Sequence, residues 1–290
     1  MGIIFNDSAR FDRTIAERLA KEGVEFFHAD NIEAFRAHCD SGRLLCRREL
    51  MEVNPDGHTP FDSDEYDQNH GFDSRVFGNI YDLGSIFERA HEDNGPYIYG
   101  PIMFVFRPEV YMQMTDIIIV NKSMFTLGNT WRDFRLCDEA QLDSMLNPSH
   151  PDDKIHRNWH YAELNCSNCS IPLSYLSKVV VEPLEFRAVD GQLYNLYDVA
   201  TRILSQRGIG HIPVEIRKYR SGKRGGITAL RAMVEVCQGL PSTVTPDTWN
   251  VSQADLPGSL NYLSDAAQKR LIQWGKYFTF GTVRASLRTR

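Results

Sequence analysis

The sequence predicts an α+β fold, and three observations carry that expectation. Short β-branched or aromatic runs at 24–29, 97–106, 115–120 and 177–182 are interleaved with helical patterns at 8–22, 32–41 and 196–206. The spacing of these runs shows no internal repeat. No G-x-G-x-x-G and no Walker sequence is present, so a Rossmann-type parallel sheet is unsupported. With 290 residues, 42% hydrophobic and 24% charged, the chain has ordinary globular composition, which excludes disordered, collagen-like and coiled-coil classes. No apolar run approaches the ~18–20 residues of a membrane span. The start MGIIFNDSARFDR lacks the apolar core of a secretory signal and, with Asn6, lacks the Ser or Thr of a myristoylation site. A cytoplasmic protein without a membrane partner is expected.

The elements follow in order. Ser8 opens a helix in which Phe11, Ile15 and Leu19 share a face, and Gly23 closes it. VEFFHA reads as a strand. Asp30 or Asn31 caps a second helix carrying Ile32, Phe35 and Cys39, stopped by Gly42. LLCRREL reads as a further strand. Residues 52–75 have loop composition, with Asn54, Pro55, Asp56, Gly57, Pro60 and a run of acids, and their length points to a functional loop. YIYGPIMFVF and TDIIIV read as strands, 139–146 as a short helix and 147–153 as a loop. WHYAELN alternates like a strand, 172–176 forms a helical turn and KVVVEP a β run. Beyond Asp190-Gly191, helices are expected at 196–206, 226–238 and 265–278, with a strand at 211–219.

The formal charge of −6 hides an asymmetry. Residues 201–290 carry 14 Lys and Arg against 5 Asp and Glu, whereas residues 1–200 carry 18 against 33. This change coincides with the change of texture near 190. Two regions are therefore expected, 1–189 and a basic, mainly helical 190–290, the second suited to an anionic acceptor or an acidic partner.

Three segments carry chemistry together: FFHADNIEAFRAHCDSGRLLCR, then FDSRVFGNIYDLG leading to YGPIMFVF, then NWHYAELNCSNCSIPLSYLSKVVVEP. Taken singly, His28 is a core histidine, Asp30 and Asn31 are helix caps, Arg75 is a surface residue and Glu163 is a strand residue facing solvent. Taken in order, they resemble the DarT-type ADP-ribosyltransferases, toxins that modify nucleic acid. The match runs through His28, Asp30, Asn31, Ile32, Gly42, Leu44 and Leu45. It continues through Ala162, Glu163 and Leu164, then Ile171-Pro172-Leu173 and Val179-Val180-Val181. It covers about residues 24–185 and departs from the family after the aromatic strand, where Arg107-Pro108-Glu109 stands.

The resemblance implies an ADP-ribosyltransferase-like split β-sheet core with flanking helices, NAD as substrate and Glu163 as the catalytic carboxylate. It implies a catalytic Arg before the aromatic strand, for which Arg75 is the first choice and Arg47, Arg48 and Arg89 are alternatives. His28, Asp30, Asn31, Arg47 and Tyr97 are expected at the NAD site, with Tyr81 and Tyr99 as further stacking candidates. It also implies a neutralising antitoxin partner, hence a toxin–antitoxin or antiviral setting. The residue types suit the reaction: a carboxylate stabilises an oxocarbenium-like ribose or takes the acceptor's proton, and an Arg pairs with phosphate oxygens. In the resembled fold the stretch 121–158 faces the acceptor. Trp131, Arg132, His156, Arg157 and Trp159 interleave aromatic and basic groups as single-stranded DNA or RNA requires. The alternatives are a protein-modifying transferase and a catalytically idle binding module. Six cysteines without a secretory signal are expected reduced. Cys166 and Cys169, with His156 and His160 upstream, make a weak metal pattern, and no metal is expected.

Overall fold

The apolar stripe of the first helix has to be buried, and the sheet behind it supplies the surface. In the computed structural model, residues 8–54, 64–85, 100–149, 151, 153–187, 193–218, 235–236, 248, 250–261, 263–265, 268–269 and 271–272 are described. Helix α1 (Ser8–Lys21) buries Ile15 and Leu19 and packs on the 3-10 turn Pro108–Gln113. Strand β1 (Phe26–Asp30) leads into α2 (Ile32–Ser41). Asn31 caps α2 by accepting from Ala34 N–H at 2.9 Å, and Gly42 ends it at φ +68°, a conformation that favours glycine. Strand β2 (Arg43–Leu45) follows, then α3 (Arg47–Val53) and α4 (Asp64–Asn69).

The remaining strands are β3 (Val76–Asn79), β4 (Ile102–Phe106), β5 (Ile118–Val120), β6 (Glu163–Cys166), β7 (Ser170–Pro172), β8 (Leu176–Val181), β9 (Glu185–Arg187), β10 (Leu193–Asn195) and β11 (Val214–Ile216). The short helices α5 (Met124–Leu127) and α6 (Glu139–Met145) lie between β5 and β6, and α7 (Leu196–Gln206) follows β10. Seven strands form one mixed sheet in the order β11-β8-β4-β1-β3-β6-β5, antiparallel except for β11 alongside β8. β4, IMFVF, is buried throughout, as an unbroken apolar run in a central strand demands. The β9–β10 hairpin straddles position 190, and α7 adds Leu196, Ala200, Ile203 and Leu204 to the main core, so residues 193–216 build onto the sheet that precedes them.

Four expectations change. LLCRREL is a strand only to Leu45, where pairing with β7 stops, and a helix starts at Arg47 instead. Within 52–75, residues 64–69 are helical and Phe72 is buried against Trp131, which gives that part of the acidic segment an anchor. WHYAELN opens with a 3-10 turn, Arg157–Trp159, that packs Trp159 on the core, and the strand starts only at Glu163. The strand expected at 211–219 is limited to the three residues that pair with Val179–Val181. The expected helices at 226–238 and 265–278 lie largely outside the described residues. No described helix is long and apolar enough to cross a membrane.

Candidate active site

Strand register places Glu163 at the start of β6, opposite Asn79 on β3 and Val120 on β5. Its Oε1 accepts from Met124 N–H at 3.1 Å. Loss of water around it pushes the carboxyl up to about 7, against hydrogen bonds from Met124 N–H and the Ser123 hydroxyl and with help from the charge of Asp67. A carboxyl poised near neutrality is suited to general acid–base work.

On the far side of β3, the sheet is thin. β1 meets β3 at a single register pair, Phe27 with Asn79, whereas it pairs with β4 along its whole length. The next rung is made by a side chain: His28 Nδ1–H donates to Phe77 O at 2.7 Å. This junction is a sparsely paired seam within one continuous seven-stranded sheet. It lies two strands from Glu163, or ~10 Å at the usual strand spacing.

His28 belongs to a cluster. Asp30 Oδ2 lies 3.2 Å from His38 Nε2 and 3.4 Å from His28 Nε2, and Asp30 Oδ1 accepts from Asn31 N–H at 2.8 Å. His38, buried, accepts from Leu45 N–H through Nδ1 at 3.1 Å, so its Nε2 carries the proton it donates to Asp30. Burial opposes ionisation of Asp30, but the hydrogen bonds and charges of the two histidines outweigh it and hold the carboxyl well below the usual range. Burial also pushes His38 down, against Asp30, in keeping with a neutral ring. His28, Asp30 and His38 are the one grouping of metal-ligand type among the described residues. The Leu45–His38 bond leaves no lone pair on His38 Nε2, so the donor set does not fit a cation. Cys166, Cys169, His156 and His160 do not come together as such a group among the described residues.

Both shifts give one sign. A depressed carboxyl stabilises the fold above its unfolded value of about 4, and a depressed histidine does so above about 6.5; both contributions decline as pH falls. Between about pH 7 and 4.3 the raised carboxyl of Glu163 acts with the opposite sign, so the loss is read below about pH 4, where urea midpoints of the native chain are expected to fall as Asp30 is protonated. Asp30→Asn is expected to flatten that part of the curve; an unchanged slope would contradict the assignment.

The expected arginines separate. Arg75 precedes β3 at the Cys166 end of β6, not the Glu163 end. Its Nε donates to Asn165 Oδ1 at 2.5 Å, its Nη1 pairs with Asp116 Oδ2 at 2.6 Å, and its Nη2 donates to Asp116 O. It ties β3 to the approach of β5, where Asp116 has φ +49°. Arg48 is held bidentately by Asp73. Arg47 Nη1 lies 3.8 Å from Asp67 Oδ2. Tyr97, Tyr99 and Arg89 lie outside the described residues.

The acceptor candidates also divide. Trp131 is only 5% exposed and packs with Phe72, Val120 and Met124, so it is core and not a free stacking platform. Arg132 is exposed, lies 4.7 Å over the Trp131 ring, and its charge reaches Tyr66, which also feels Glu163. Arg157 is exposed, Trp159 packs on the core, and His156 accepts from Asn158 N–H. Tyr81 stacks on His160 at 4.1 Å and donates to Asp153. Sequence reasoning missed Asp67, Ser123 and His38. His38 had a local signal, since it lies on the same helix face as Phe35. Asp67 and Ser123 had none, because only the folded chain brings α4 and the β5–α5 turn to β6.

No family model matches the chain, and no curated protein matches it. Among solved structures, Thermus sp. 2.9 DarT in complex with carba-NAD+ aligns at 13% identity over 68% of this chain and 98% of that one, with a TM-score of 0.38. Thermus sp. 2.9 DarT in complex with ADP-ribosylated ssDNA aligns at 16% identity over 68% and 96%, with a TM-score of 0.39. Thermosipho africanus DarTG in complex with ADP-ribose aligns at 11% identity over 87% and 67%, with a TM-score of 0.39. Likeness at this level carries no argument about this chain, and the functional reading rests on the site itself.

Proposed function

We propose that the chain is an NAD-dependent ADP-ribosyltransferase that moves ADP-ribose to a base in nucleic acid, single-stranded DNA or RNA, and releases nicotinamide. The observation that carries this reading is Glu163, a carboxyl held near neutrality at the start of β6 with Met124 N–H on its Oε1. Cleavage of the nicotinamide–ribose bond develops positive charge on the ribose, much as glycoside cleavage does. Ionised Glu163 stabilises that charge and accepts the proton lost by the acceptor nitrogen or oxygen as the new bond forms. His28 and Asp30 offer hydrogen bonds to ribose hydroxyls, and Arg47 offers a guanidinium to the pyrophosphate. Arg132 and the basic residues beyond 200 attract the acceptor backbone. A neutralising protein partner, as for a toxin, belongs to the same reading.

The test is incubation of purified protein with labelled NAD and, separately, single-stranded DNA, RNA and protein. Label on nucleic acid is expected. Label on protein alone would replace the acceptor class, and absence of both NAD binding and nicotinamide release would leave a binding module.

A further inference from the structure

β2 and β7 run antiparallel, with Arg43 opposite Pro172, Leu44 opposite Ile171 and Leu45 opposite Ser170. The next rung sets Cys46 opposite Cys169, and Cys46 N–H closes it by donating to Cys169 O at 2.5 Å. At the other end of the ladder Leu173 N–H donates to Gly42 O at 3.0 Å, so the register holds from end to end. On a hydrogen-bonded rung the α-carbons stand ~5.5 Å apart with both side chains on one face, a separation that a disulfide spans. The turn before Cys169 is pinned. Ser167 N–H donates to Thr115 O at 2.9 Å, Thr115 N–H to Asn168 Oδ1 at 2.8 Å, and Asn168 Nδ2 to Gln113 O at 2.9 Å. Cys169 is thus held against β2. Cys166 stands opposite Val76 on β3, and Cys137 Sγ–H donates to Arg135 O, so among the described residues Cys46 and Cys169 are the cysteines that share a rung.

We propose that Cys169 and Cys46 are a site of oxidative modification, where a low-molecular-weight disulfide converts the two thiols into a cross-strand disulfide that clamps β7 to the start of α3. Cys169 is exposed and Cys46 is buried. Loss of water pushes the Cys46 thiol up to about 11, so Cys169 opens the exchange and Cys46 completes it. Cys169 Sγ attacks the small disulfide; its S–S bond breaks and one thiolate leaves with the Cys169 proton. Cys46 Sγ then attacks the Cys169 sulfur of the mixed disulfide, and the second thiolate leaves with the Cys46 proton. Two protein thiols are oxidised and one external disulfide is reduced to two thiols. Because Cys169 is exposed, excess thiol reverses the bond. Closing it draws the β-carbons together by ~1 Å and pulls on Arg47, the first residue of α3. A fall in turnover on oxidation rests on the reading of Arg47 as the pyrophosphate's partner; formation of the bond does not.

The test incubates the native chain with oxidised glutathione, blocks remaining thiols with N-ethylmaleimide and maps tryptic peptides by mass spectrometry. Peptide 44–47 linked to peptide 158–178, with maleimide on Cys166, is expected, and dithiothreitol before blocking removes the link. Cys169→Ser is expected to abolish the link, Cys166→Ala to leave it, and Cys46→Ala to strand glutathione on Cys169. In urea, which removes the ladder, the preference for this pair is expected to vanish. Glutathione left on Cys169 of the native chain, a Cys166–Cys169 bond, or no loss of thiols overturns the proposal. Nicotinamide release is expected to fall several-fold on oxidation, to return with dithiothreitol, and to be insensitive in Cys169→Ser; turnover indifferent to the bond would overturn its hold on α3. The link formed in a protein that cleaves no NAD would sustain the site and remove the proposed activity.

Discussion

Glu163→Gln is expected to reduce nicotinamide release by about 10²-fold or more and, in the same protein, to raise stability above pH 7. The two effects share one cause. The carboxyl is pushed up to about 7 mainly because it has lost water. Ionising it costs folding free energy, and that cost returns as stabilisation of a developing positive charge. The sign follows from linkage: a carboxyl raised in the folded state contributes stability below its unfolded value of about 4.3 and loses it as pH rises through 7. Glutamine keeps an oxygen for Met124 N–H and removes the charge. Thermal unfolding of the two proteins should therefore coincide near pH 4 and separate above pH 7, the variant being the more stable. A variant that is inactive and also less stable at pH 8 would show that the loss of activity is a loss of fold.

Arg217→Met is expected to destabilise the protein by about 3–5 kcal/mol, the largest stability effect among the changes considered. The Arg217 side chain is 6% exposed and closes the sheet edge beyond β11. Its Nη1 and Nη2 donate to Asp82 at 2.9 and 3.1 Å, and its Nε donates to Glu182 at 2.8 Å. Methionine leaves two carboxylates close together without their cation, which costs far more than the ion cluster itself contributes. A Cβ on Gly84 would fall 2.3 Å from the Arg217 guanidinium carbon, so the loop after β3 is shaped around that side chain. Equilibrium urea unfolding at pH 7 measures the loss. A change under about 1 kcal/mol would show that the cluster is solvated and dispensable.

Much of the local structure was legible in the residues themselves. Ser8 to Gly23, Asn31 to Gly42 and residues 196–206 carry caps and apolar spacing that set helices at the observed places. The unbroken apolar run in β4 announced a central strand. Local pattern failed where packing decided: Trp159 alternates with its neighbours as a strand residue would, yet sits in a 3-10 turn because the core claims its ring.

For the site, the sequence by itself determined the residue types and their order: a histidine ending a strand, an Asp-Asn helix start, and a glutamate opening a later strand. Only the tertiary structure decided where the arginines are held. Arg47 and Arg75 are equally basic on paper, but strand register carries Arg75 to the far end of β6 from Glu163, where Asn165 and Asp116 occupy it, while Arg47 lies beside Asp67. Only the tertiary structure made Glu163 unlike the other acidic residues around it. A carboxyl's pKa depends on the water it loses and the charges brought beside it, and neither quantity exists until α4 and the β5–α5 turn close on the strand.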